Sequence, residues 1–276
     1  MTANLRTYAT PDPTVPSQNT MVTSRVLMRD KYAIIPASVL VNITSSNLPY
    51  WQNTRCWVLT TPDMGYGCHF AQYMVYTDVN GGSDEPEFED GVESFLFVCE
   101  GNLTLGFEQE KHQMTSGGFA YIPPNKHWSI RNSGENLAKF LWLRKQYEPI
   151  RGLTPSMFIG NENDVPQVTI EGFDGKGRSQ YLFPQGDMAY DMCINLNNWD
   201  PGALIPVVET HVMEHGLYML QGQGMYLLND EWYEVCGGDY IWMAPFCPQT
   251  FYCGGSTTGR YLLYKNVNRQ FPISDH

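Results

Sequence analysis

The sequence predicts an all-β protein built from two tandem copies of one β-domain. Three observations carry that reading. Apolar runs are short and are punctuated by turn residues, in a chain of 276 residues with 25 Gly, 18 Pro and 13% aromatics. No long segment repeats its apolar residues at the helical period. And several stretches recur at an offset of about 121 residues.

Taken in order, residues 1–20 read as a polar arm. They have no apolar core of the signal-peptide kind, and both a free arm and one packed on a neighbouring subunit remain open. Strand-like runs then begin at Arg25-Val26-Leu27-Met28 and Tyr32-Ala33-Ile34-Ile35, and continue at Trp57-Val58-Leu59-Thr60 and Gln72-Tyr73-Met74-Val75-Tyr76. An acidic stretch through Asp90 reads as a solvated loop, and Ser94–Val98 resumes a buried strand. The repeat follows. Gly101-Asn102-Leu103-Thr104-Leu105 matches Gly222-Gln223-Gly224-Met225-Tyr226, and Lys139–Arg144 matches Arg260–Lys265, both at 121. Between them the offset slips from 120 to 122, aligning Pro123 with Pro245 and His127 with Gln249. The expected layout is an arm over 1–20, a first β-domain over 21–150 and a second over 151–276.

Composition narrows the function classes. Net charge is −12, which disfavours nucleic acid and anionic membrane as partners, and an anionic substrate would need a local cation. No run of 18 apolar residues is present, so no membrane-spanning helix is expected. The seven Cys include no CxxC pair, and scattered reduced thiols fit a cytoplasmic protein. Exposed aromatic strands and the arm point to a homo-oligomer.

The chemistry concentrates in Glu209-Thr210-His211-Val212-Met213-Glu214-His215. Glu209 and His211 are two apart, so on a strand both side chains share a face. His215 follows after room for a turn. A carboxylate and two imidazoles suit Mn, Fe, Zn or Ni. Glu214 competes with His215 for the third position. Asp191 and Asn195 share a strand face ahead of this stretch and are candidates to line the pocket. Tyr261 and Lys265 are four apart, so both can face the interior of the closing strand. Matched positions in the first domain become Phe88, Asp90 and Ser94, with His127 at the position of Gln249. That set is incomplete, so the first half is expected to hold no metal. His69 and His112 read as surface or satisfied imidazoles.

The spacing of Gly202, Glu209, His211, His215 and Gly222, followed by Gly238, Pro245 and Gln249, resembles the two motifs of the cupin superfamily. With Glu, His, His and Gln as the ligand set, the chain resembles the bicupin ureidoglycine aminohydrolases of purine catabolism. The likeness is strongest from Asp191 to Arg269, including ETHVMEHG, LQGQGMY, GGDYIWM and YKNVNR. That resemblance implies Mn(II) in the second domain, other divalent metals remaining open, on Glu209, His211, His215 and Gln249. It implies conversion of (S)-ureidoglycine and water to (S)-ureidoglycolate and ammonia, with Glu209, Gln249, Tyr261 and Lys265 contacting a small anionic ureide. Glu209, Lys265 and Tyr261 are the expected catalytic groups, Glu209 foremost as a ligand. Two other classes stay open: a different metal-dependent cupin enzyme such as a dioxygenase, and a non-enzymatic bicupin binding protein.

Overall fold

A computed structural model describes residues 25–65, 67–86 and 89–269. The expected arm lies outside them. Among the described residues there are strands and short 3-10 turns, with no α-helix. The first half contributes β1 (Leu27–Met28), β2 (Tyr32–Ile35), β3 (Gln52–Thr60), β4 (Phe70–Ser83), β5 (Val92–Glu100), β6 (Asn102–Phe107), β7 (Glu110–Thr115), β8 (Gly118–Ile122), β9 (Trp128–Asn132) and β10 (Ala138–Gln146). The second contributes β11 (Phe158–Asn161), β12 (Val168–Thr169), β13 (Gly177–Tyr181), β14 (Met192–Trp199), β15 (His215–Gln221), β16 (Gln223–Leu228), β17 (Glu231–Cys236), β18 (Tyr240–Met243), β19 (Gln249–Gly254) and β20 (Gly259–Asn266).

These strands form two jelly-roll barrels, as expected of a bicupin. One sheet runs β11-β8-β5-β10-β4-β9-β6-β7, with β3 on β4. The other barrel is built from an eight-stranded sheet, β1-β2-β18-β15-β20-β14-β13-β12, and a three-stranded sheet, β17-β16-β19. Both orders cross the boundary expected at residue 150. β2 pairs with β18 of the second barrel, and β11 pairs with β8 of the first. Each half lends the other an edge strand, which covers backbone groups that an isolated barrel would leave open.

Strand alternation sorts the side chains into three cores. Leu96, Val98, Phe140 and Trp142 fill the first barrel. Leu217, Met219, Tyr226, Phe251 and Tyr261 fill the second, with Tyr32 and Ile34 from the lent strand. Between the barrels, Trp57, Phe70, Phe95, Phe97 and Leu141 meet Ile194, Tyr218, Tyr240, Trp242, Leu262 and Tyr264. Each such buried side chain stabilises the pairing by roughly 1.5–3 kcal/mol relative to leaving it exposed. The two sheet faces could not both be left in water, so the tandem arrangement follows from the apolar character of both faces of β5, β10, β15 and β20.

The seam also holds charge. Lys145 Nζ lies 2.6 Å from Asp191 Oδ2, both buried. Glu93, also buried, accepts a hydrogen bond from the Tyr121 hydroxyl. Burial and the nearby Asp191 push the Glu93 carboxyl well above the usual range.

Sheet register revises the repeat alignment. Ser94 pairs with Arg144 as His215 pairs with Lys265, Ser94 with Ile122 as His215 with Met243, and Phe107 with Trp128 as Leu228 with Gln249. The offset therefore stays at 121 across this region, and Trp128, not His127, stands where Gln249 stands. The matched prolines misled the alignment: Pro123 and Pro245 occupy different steps of their turns.

Candidate active site

Four segments deliver the candidate side chains to one mouth of the second barrel. β15 starts at His215, and β20 runs beside it with Lys265 directly across from His215. β14 flanks β20, pairing Asn195 with Leu263 and Asn197 with Tyr261. β19 starts at Gln249. Glu209 reaches Gln249 by an isolated antiparallel bridge, closed by Glu209 N to Gln249 O and Gln249 N to Glu209 O, both 2.9 Å. Glu209 and His211 thus do not share a continuous strand. The expectation of a regular strand fails here because the chain turns between residues 205 and 214 to enter β15.

The bridge brings the expected set together. Glu209 Oε1 lies 3.4 Å from His211 Nε2, and both side chains are about one-third exposed. The His211 and His215 ring centroids are 5.1 Å apart. Gln249 is buried, and its Oε1 accepts from the Tyr226 hydroxyl at 3.0 Å. The turn before Gln249 is tied to the same place. Phe246, at φ +62°, donates its backbone N–H to His211 O at 2.6 Å. A non-glycine residue in that region is strained by roughly 1–3 kcal/mol, which the surrounding hydrogen bonds must offset.

Electrostatics separate the groups. Burial drives the His215 imidazole down to about 3, and the neighbouring His211 and Lys265 act in the same direction. It is therefore neutral at physiological pH, and its Nδ1 has no hydrogen-bond partner. Burial raises the Tyr261 hydroxyl above its ordinary value, and the Glu209 charge pushes the same way. Burial also raises Tyr226, and Tyr261 and then Glu209 add to it. With the Asn195 amide turned to satisfy its neighbours, its oxygen accepts from Lys265 Nζ at 3.0 Å. Burial raises the Cys193 thiol, with Lys265 opposing.

As donors, two imidazole nitrogens, a carboxylate and an amide oxygen fit a divalent cation of hard to borderline character. An orphaned neutral imidazole such as His215 fits the same role, since buried polar atoms are normally engaged. No three His, Cys, Asp or Glu side chains among the described residues already enclose an ion-sized space. The set is instead a chain of neighbours, with the fourth donor an amide.

Two candidates fall elsewhere. Glu214 is fully buried on the seam side, where His69 and Trp242 hold it. Asp191 is fully buried too, bound to Lys145 and to the Glu148 backbone N–H at 2.7 Å, so it does not line the pocket. Asp191 continues the pairing of β14 with β20, through Val267 N–H to Asp191 O at 3.1 Å, but its carboxylate is turned to Lys145. Tyr226 lies outside the expected set, as does Asn197, whose side chain hydrogen-bonds with Tyr261. Tyr226 was legible in principle, since Gly224, Tyr226 and Leu228 alternate onto one face of β16. Asn197 gave no signal beyond two-residue spacing from Asn195.

The Cupin domain family model matches residues 74–144. The chain is 36% identical over 248 residues to (S)-ureidoglycine aminohydrolase of Arabidopsis thaliana, covering 90% of this chain and 79% of that one. It is 30% identical over 250 residues to (S)-ureidoglycine aminohydrolase of Escherichia coli K12, covering 90% and 93%. Among solved structures, one named for a glyoxylate-induced protein of Pseudomonas aeruginosa superposes with a TM-score of 0.89 at 40% identity, covering 98% of this chain and all (100%) of that one.

Proposed function

The chain belongs to the (S)-ureidoglycine aminohydrolase family of two-barrel cupins, and from that premise we propose that it hydrolyses (S)-ureidoglycine to (S)-ureidoglycolate and ammonia in the second barrel. The observation that carries the reading is the convergence of Glu209, His211, His215 and Gln249 beside Lys265 and Tyr261. Those four would hold a divalent metal, Mn(II) by family. Such an ion would supply Lewis acidity and a fixed point for the substrate's heteroatoms.

The chain's own groups account for the rest. Lys265 Nζ, half-buried against Asn195, is the local cation that a carboxylate substrate needs in a protein of net charge −12. Tyr261 stays protonated, so its hydroxyl donates a hydrogen bond and does not act as a base. Tyr226 fixes the Gln249 amide, leaving the carbonyl's second lone pair free. Glu209 acts as ligand. The walls of the barrel present one face of the reacting carbon to water, which sets the product's handedness. A small ureide in solution is the partner. Seven free cysteines support a cytoplasmic setting. No helix among the described residues is long and apolar enough to cross a membrane.

The test is ammonia release from freshly generated ureidoglycine by protein stripped of metal and then resupplied with Mn(II), against the no-enzyme rate. The expected result is metal-dependent release with only the (S) product. Release at the control rate with metal bound would overturn the substrate assignment. Oxygen uptake with candidate substrates would move the site to the dioxygenase class.

A further inference from the structure

The four proposed ligands all lie in the second half, yet one segment of the first touches three parts of the site's frame. We propose that Gly67–Phe70 is a positioning strap, acting through Glu214, that holds His215 and the turn leading to Gln249 in place for metal binding. The inference rests on the metal reading above.

Glu214 immediately precedes His215, and its carboxylate points to the seam. The His69 backbone N–H donates to both Glu214 oxygens at 3.1 Å. His69 Nδ1 lies 3.2 Å from Oε1, and Trp242 Nε1 donates to Oε2 at 3.4 Å. The Glu214 backbone N–H donates to Asn266 Oδ1 at 2.9 Å, tying it to the residue after Lys265. Glu214 is fully buried (0% exposed) whereas the His69 side chain is 64% exposed. A buried carboxylate with both oxygens engaged is held in one orientation, and it fixes the first residue of β15 with it.

Two neighbours of His69 in the same segment make independent contacts. Gly67, at φ +84°, lies so close to Pro245 that an added Cβ would come within 3.0 Å of its Cδ. Pro245 opens the turn in which Phe246 binds His211 O and the chain reaches Gln249. Phe70 packs against Tyr264 with ring centroids 4.1 Å apart and the rings tilted by 37°. Its ring also lies against Gly216, where an added Cβ would meet Phe70 Cζ at 2.7 Å. So the segment grips β15 on either side of His215, β20 beside Lys265, and the turn before Gln249. Groups that orient metal ligands typically change affinity about 10–100-fold when altered.

The test is Mn(II) affinity of the stripped full chain, read from the EPR signal of free Mn(II) during titration, with thermal midpoints recorded alongside. Glu214→Gln keeps the shape but sets an NH2 against one of the donors around it. We expect Mn(II) affinity to fall about 10-fold. His69→Ala, at an exposed site, should weaken it less while leaving the fold intact. Tyr147→Phe is the control. It removes a hydrogen bond to Ala189 O of 2.9 Å elsewhere at the junction of the halves, so it should lower the melting point without changing Mn(II) affinity. Equal affinity in wild type, Glu214→Gln and His69→Ala would overturn the strap. So would an equal loss in Tyr147→Phe, which would mark a general stability effect. A wild type that binds no divalent ion overturns the strap and the metal reading together. Weakened metal binding in the two strap variants, with no turnover of ureidoglycine by wild type, would support the strap and sink only the substrate assignment.

Discussion

At matched register the two barrels hold opposite interiors. Where the second has His215, Lys265, Gln249, Tyr226 and Tyr261, the first has Ser94, Arg144, Trp128, Leu105 and Phe140. The first is closed by aromatic rings. Trp142 packs against Trp51, Tyr73 and Trp128 at centroid distances of 5.4, 5.3 and 5.8 Å, and its Nε1 donates to Ser94 Oγ at 3.1 Å. Arg144, the counterpart of Lys265, sits over the Trp142 ring at 5.1 Å and pairs with Glu89. One scaffold holds an aromatic-packed block on one side and, at matched positions on the other, polar and ionisable side chains. The family model's match to residues 74–144 falls on the block.

The sharpest way to break that comparison is a paired substitution. His215→Ala should abolish metal-dependent ammonia release, since it removes one of the four proposed ligands outright. Ser94→Ala at the equivalent position should leave kcat/KM unchanged and cost about 1–3 kcal/mol of stability by stranding the Trp142 N–H. Activity loss in Ser94→Ala would mean the first barrel takes part in the chemistry. Next in size is Trp142→Ala. Emptying the block should destabilise the protein by roughly 3–5 kcal/mol in denaturant unfolding, with turnover below the melting point retained. A small effect would show that the rings are not what fills the first barrel.

The smallest effect concerns the seam that the halves share. Glu93 is pushed above its ordinary value of 4.5, by burial first and then by Asp191. A raised carboxyl contributes stability that is intact below about 4.5 and lost as pH rises through the folded-state value. The slope within that window is at most about 1.4 kcal/mol per pH unit. Glu93→Gln should thus flatten the decline of the melting point as pH rises from 5 upward. Parallel melting curves for the two proteins would show that the proton resides elsewhere in the Glu93, Asp191, Lys145 and Tyr121 cluster.

Legibility differed by the range of the interactions. Strand content and duplication were readable because alternation and repeats are local or nearly so. Glu209, His211, His215 and Gln249 stand out in the sequence through their motif spacing, and the bridge between Glu209 and Gln249 is what puts the first and last of them side by side. Asp191 departs from its expected place because its carboxylate meets Lys145 across the seam, a contact that strand alternation does not reveal. His127 was misaligned because proline matching overrode sheet register. Tyr226 and Asn197 were missed because their roles arise from what lies across a sheet, not from what lies nearby in sequence.

The sequence by itself determined the all-β class, the duplicated barrel and the donor types of the candidate site, because these follow from periodicity and from the chemistry of side chains. The fold alone settles which strands each half lends the other, and that Glu214 faces the seam, where His69 meets it. Those outcomes depend on pairing between residues more than a hundred positions apart, such as β2 with β18 and His69 with Glu214. Such pairings are selected by the joint burial of two apolar sheet faces, a quantity that no single stretch of chain encodes.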